Sequence, residues 1–192
     1  MGEPGSSDHS ARARIVSSAR RSVLERGEGG ANSAHVAAYA GVSKALVHYH
    51  FTDKRTLLVA VVDECTAHVE RRYRLVAAPP GDASAFDRCR EWLAGELDAR
   101  DLELLVRLAA DEDHTVSAQA RAGLRKFQAA VEHQLAGALR GLGLAPAIRM
   151  ELVATLASST VLGLAASNGP DADADREAIL DTLWLAILSL AR

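Results

Sequence analysis

VAAYAGVSKALVHYHFTDK, residues 36–54, decides how the chain is read. Two short helical runs flank one glycine here. Such a pair needs a small residue where the helices cross, a turn residue tolerant of positive φ, and apolar positions facing a shared core. Ala37 is the small residue, and Gly41 follows four positions later. Val36, Ala40, Val42 and Val47 supply the apolar contacts. The spacing predicts a helix-turn-helix, with helices from Ser33 to Tyr39 or Ala40 and from Lys44 to about His50.

The second helix of such a pair lies in the major groove, its N-terminal residues near base edges. Lys44, Ala45, Leu46, His48 and Tyr49 are then the exposed candidates. Lys44 suits guanine O6/N7, and Ala45 or Leu46 suits a thymine methyl. His48, Tyr49 and His50 can hydrogen-bond phosphate oxygens. The chain has three lysines, Lys44, Lys54 and Lys126, and two of them bracket this stretch. Lys54 opens the next helix, where a cation opposes the helix dipole unless a phosphate docks there. His48 and His50 are two residues apart, so on a helix they point about 200° from each other and cannot share a metal. Phe51 reads as core. Tyr49 fits either packing or phosphate contact.

Outward from this stretch the pattern stays helical. Ser10 can cap a helix over 10–26 in which Ile15, Ala19 and Val23 recur, and Gly27 fits its stop. Residues 28–30 form a loop, and Asn32 is a good N-cap. Thr52 or Asp53 caps a long helix over 54–76. Ala78-Pro79-Pro80-Gly81-Asp82 breaks the chain and reads as a connection between domains. Further helices follow over about 83–99, 101–112, 116–141, 147–167 and 175–191, with Gly141-Leu142-Gly143 and Asn168-Gly169-Pro170 as separators.

Ala, Leu, Arg and Glu dominate, so the fold class is all-α. Residues 1–10 read as a disordered tail without an apolar signal core. Residues 1–55 carry eight Lys/Arg against five acids, a net +3; the remainder carries fourteen against twenty, a net −6. A basic head on an acidic body suits a polyanion at one end only. Cys65 and Cys89 have no metal or redox spacing, which fits a reduced intracellular protein. Residues 152–170 lack charge, but Thr155, Ser158, Ser159, Thr160, Ser167 and Asn168 mark a buried helix rather than a membrane span. No nucleophile elbow, phosphate loop or metalloprotease motif is present. No catalytic residue, metal site or cofactor is therefore assigned. Enzyme chemistry in the C-terminal helices and a protein-only interaction module stay as alternatives.

RIVSSARRSVLERG, VAAYAGVSKALVHYHF and Lys54 together resemble the N-terminal domain of TetR-type transcriptional regulators. The resemblance covers about a quarter of the chain. It implies a three-helix DNA-binding domain over 11–55 and a ligand-binding and dimerisation domain over 56–192, joined by helix 54–76. Ser33 then matches a phosphate-contacting position, and Lys44, Ala45 and Leu46 match base-reading ones. His48, Tyr49, His50 and Lys54 match phosphate or base contacts. Three positions depart from the family pattern: Glu28 stands where an aromatic is usual, His48 where Tyr is, and Ala34 where Arg is.

For the body, helices over 82–141 are expected to enclose an effector cavity. Its candidate polar groups are Arg107, Asp111, His114 and His133, and its candidate walls are Trp92 and Phe127. The last helix repeats apolar residues at helical spacing. The resemblance implies that the last two helices form a four-helix bundle with a second chain, through Leu156, Leu180, Leu183, Trp184, Ile187 and Leu188. Filling of the monomer core by Trp184 and its neighbours is the alternative. The function implied is a cytoplasmic homodimeric repressor that binds a palindromic double-stranded DNA site and is released by a small molecule.

Overall fold

The computed structural model describes residues 4–76, 84–167 and 172–191. Helix α1 (Pro4–Arg26) is followed by a 3₁₀ turn (Gly27–Ala31), α2 (Ser33–Ala40), α3 (Lys44–His50) and the long α4 (Lys54–Val76). Then come α5 (Ala85–Asp98), α6 (Asp101–Leu108), α7 (His114–Gly141), α8 (Met150–Ala166) and α9 (Ala172–Ser189). The 78–82 break and the 168–170 separator lie outside the described residues.

Local chemistry sets the boundaries in the head. Asn32 caps α2, its side-chain oxygen accepting from Ala34 N–H at 2.8 Å. Gly41 ends α2 in the left-handed region at φ 63°, where a side chain is disfavoured. Ser43 Oγ caps α3 by accepting from Leu46 N–H at 3.1 Å. Asp53 caps α4, accepting from Thr56 N–H at 2.7 Å, while Thr56 Oγ1 donates to the Asp53 carbonyl at 2.9 Å.

In the head, two boundaries differ from expectation. α1 begins at Pro4, so the helix runs back through residues assigned to a tail. Proline is tolerated there because a first-turn N–H has no helical partner. The 28–30 loop is a 3₁₀ turn folded against α1. A Cβ on Gly30 would stand 2.1 Å from the Ser22 carbonyl oxygen, so only glycine permits that approach.

The head core consists of Ile15, Val16, Ala19 and Val23 from α1, Val36 and Ala37 from α2, and Val47 and Phe51 at α3. Leu57, Leu58 and Val61 of α4 close it, and the same helix buries Val62, Cys65 and Val69 against the body. One apolar cluster therefore runs through both regions. In the body, Leu102, Leu104, Leu105 and Leu108 of α6 and Phe127, Val131 and Leu135 of α7 are fully or almost fully buried. Ala147 N–H donates to the Leu190 carbonyl at 2.7 Å and ties the end of α9 to the α7–α8 connection.

Candidate nucleic-acid interface

α3 has two unlike faces. Val47 and Phe51 point inward, 1% and 4% exposed. Lys44, Ala45, His48 and Tyr49 point outward, at i, i+1, i+4 and i+5. Tyr49 is 74% exposed, so it does not serve as core packing. Its ring meets His50 edge-on at 5.1 Å. Leu46 and His50 are half-buried, and Leu46 packs on the core, which leaves it less to offer a thymine methyl.

Ser33, His48 and Lys54 converge, although 21 positions separate the first from the last. They line a depression of about 380 Å³ together with Asn32, Phe51 and Asp53. The N-termini of α2 and α4 both open onto it, which is the arrangement that favours an anion. Among the described residues neither Lys44 nor Lys54 is in an ion pair. Arg55, next in sequence, is bound to Asp113 at 2.5 Å. That bond, then the α7 backbone N–H groups of Val116 and Thr115, hold the Asp113 carboxyl below its ordinary range. Asp53 is lowered too, chiefly by the Thr56 backbone N–H.

Two supports of α3 carry no strong sequence signal. Arg12 lies over the Phe51 ring at 5.2 Å, and Arg14 donates to the Ala40 carbonyl at 3.3 Å, next to the turn. Both sit on α1, more than 20 positions from their partners. Nothing in the local pattern of α1 beyond two exposed arginines hints at them.

The body places its six candidates in different surroundings. His133 lines a groove of about 460 Å³ between α4 and α7, with Thr66, Tyr73, Gly123, Lys126 and Ala130. The Tyr73 and His133 rings meet edge-on at 6.3 Å. Trp92 and Phe127 stand behind Tyr73 as packed core, 4% and 0% exposed, their rings 5.8 Å apart. Neither lines the α4–α7 groove itself. Arg107 does not face the groove: it donates to the Val23 carbonyl at 2.8 Å and to Glu103 at 2.9 Å. Asp111 accepts from the Asp113 N–H at 2.8 Å in the turn before α7, and His114 is the exposed first residue of α7. Among the described residues no group of three or more His, Cys, Asp or Glu could hold a metal ion, and no helix is long and apolar enough to cross a membrane.

The expected bundle contacts also divide. Leu180, Leu183, Trp184 and Ile187 are 9%, 5%, 4% and 1% exposed in the single chain, and Trp184 meets Phe86 edge-on at 5.2 Å. Leu188 is half-buried. These residues cover the chain's own core, because the apolar stripe of α9 turns toward α5 and α8. Leu156 is 45% exposed and lines a depression of about 480 Å³ with Ile179 of α9; Leu152 and Leu185 are exposed apolar residues of the same two helices.

A helix-turn-helix head whose second helix faces outward, set on a helical body, is the fold of a class of transcriptional regulators. Residues 15–61 match the family of bacterial regulatory proteins, tetR family. Escherichia coli NemR in its reduced form superposes with a TM-score of 0.74 at 17% identity, covering 96% of this chain and 99% of that one. A transcriptional regulator from Saccharomonospora viridis in complex with choline gives 0.71 at 19%, covering 90% and 95%. FadR from Bacillus subtilis in complex with stearoyl-CoA gives 0.67 at 13%, covering 89% and 96%. The comparison with curated proteins gives no match. Residues 15–61 thus form a tetR-family head, and the chain shares its overall fold with solved structures that include a TetR/AcrR-family transcriptional regulator from Thermobifida fusca (TM-score 0.65, 19% identity, covering 90% of this chain and 95% of that one).

Proposed function

We propose that this chain is a ligand-responsive repressor that binds a palindromic duplex site as a homodimer in the cytoplasm and acts by binding, without catalysis. One observation carries the reading: the outward face of α3 presents Lys44, Ala45, His48 and Tyr49 beside two helix N-termini and the unpaired Lys54. Base edges are read from Lys44 and Ala45. Ser33, His48, Tyr49, His50 and Lys54 hold the phosphates on either side. The exposed apolar residues Leu152, Leu156, Ile179 and Leu185 join two chains about a two-fold axis, which sets two reading helices about 34–36 Å apart.

Release requires an effector that binds the DNA-incompetent arrangement of the heads more tightly than the competent one. The α4–α7 groove is the candidate site, since α4 belongs to both head and body. Regulators of this fold with choline or stearoyl-CoA bound support the capacity for ligands without identifying this one. A gel shift with the duplex upstream of the chain's own coding region tests the reading. A retarded band that candidate metabolites release is the expected result. No retardation at low salt, where phosphate contacts are strongest, would overturn it.

A further inference from the structure

A run of buried charge joins head to body. Asp101, the first residue of α6, is 1% exposed. One of its carboxylate oxygens accepts Arg20 Nε at 2.8 Å, and the other accepts Arg72 Nη1 at 2.8 Å. Arg20 comes from α1 in the head, and Arg72 from the body half of α4. Arg20 Nη2 also donates to the Ala99 carbonyl at 2.7 Å, so its guanidinium grips the α5–α6 turn. Arg72 continues the run, holding both oxygens of the fully buried Glu96 at 2.8 and 2.7 Å. Glu96 also accepts the Trp92 indole N–H at 2.9 Å. Trp92 packs on Tyr73 at 5.8 Å, and Tyr73 lines the α4–α7 groove.

The geometry points to Arg20–Asp101–Arg72–Glu96–Trp92 as the route by which the groove sets the reading head, with Asp101 as its positioning residue. This rests on the repressor reading and specifies its regulation. A guanidinium fork on a carboxylate fixes angle as well as distance. α1 and α4 share one buried acceptor, so α4 cannot tilt at Arg72 without moving Asp101, and Asp101 cannot move without pulling Arg20. Losing either arginine would leave the buried Asp101 carboxylate with one charged partner fewer away from water. At the far end of α6, Arg107 holds the Val23 carbonyl, so α6 grips α1 at both its ends. On the α4 side, His68 Nδ1 stands 3.5 Å from Asp101, Cys65 contacts both Asp101 and Arg20, and Glu64 lies close to the same pair.

Coupling between sites is reciprocal, so DNA bound at the head must be felt at Trp92. The chain has two tryptophans, and Trp184→Phe leaves Trp92 as the sole indole. In that background, the labelled upstream duplex is titrated while its anisotropy reports binding and Trp92 emission reports the body. Trp92 emission should change in step with complex formation. In Asp101→Asn and Arg20→Met the duplex should still bind, with the emission change lost. If Arg20→Met does not fold, Arg20→Lys, which keeps the charge without the fork, takes its place. A merely structural role would lower the melting temperature and leave the Trp92 response intact. A silent Trp92 in a parent that binds duplex, or variants that respond as the parent does, would overturn the route alone. A parent that binds no duplex would overturn the repressor reading and the route together.

Discussion

Gly30 carries more of the head than its size suggests. Its Cα approaches the α1 backbone so closely that an added methyl would meet the Ser22 carbonyl at 2.1 Å and Val23 N at 2.8 Å. Both are backbone atoms inside a helix, so neither can swing aside. Gly30→Ala should destabilise by about 1–3 kcal/mol, as overpacking does, a fall of roughly 3–10 °C for a chain of this size. An unchanged thermal melt would show that the turn relaxes freely. At this scale the outward residues of α3 were legible because helical period alone separates Lys44, Ala45, His48 and Tyr49 from Val47. Arg107 was not. Its partner carbonyl lies 84 positions away, and no local pattern encodes a contact made only after folding.

Elements were legible wherever their ends carry their own caps. α2 begins after the cap read at Asn32 and stops at Gly41, and α4 begins after Asp53, one of the two caps read there; the Ser43 cap of α3 was seen only in the structure. α6 ends at Leu108 rather than near 112, because the following turn belongs to α7, capped by Asp113. Asp113 Oδ1 accepts from Thr115 and Val116 N–H, while Oδ2 holds Arg55. These contacts depress its folded pKa. The stability it contributes is therefore present above the unfolded aspartate value of about 3.9 and lost as pH falls through the lower folded value. Thermal melts between about pH 6 and pH 3 should show that loss in the unaltered chain. Asp113→Asn keeps a cap acceptor but does not titrate, so its melting temperature should fall less over the same range. Parallel curves would mean that Arg55–Asp113 contributes no acid dependence. For α9, the repeat of apolar residues located a buried face correctly. It could not say whether the chain's own helices or a second chain covers that face, because periodicity marks burial and not the identity of the neighbour.

At the scale of the whole molecule, the open question is what covers Leu152, Leu156, Ile179 and Leu185. A two-fold copy of the same surface is the economical solution, since it also supplies two reading heads. Size exclusion with light scattering should give twice the 20.4 kDa chain mass. Leu156→Asp should shift the protein to single chains and weaken binding to a palindromic duplex far more than to a half-site. A single-chain mass for the unaltered protein would remove the dimer. The most direct test of the central claim, that α3 reads duplex DNA, is the salt dependence of binding for Lys44→Ala and Lys54→Ala on the upstream duplex and on random duplex. Lys44→Ala should lose about 1–3 kcal/mol on the upstream duplex and less on random sequence. Lys54→Ala should weaken both and flatten the slope of log K against log salt by about one unit per half-site. Binding and slope unchanged in both variants would contradict the claim that α3 reads duplex DNA.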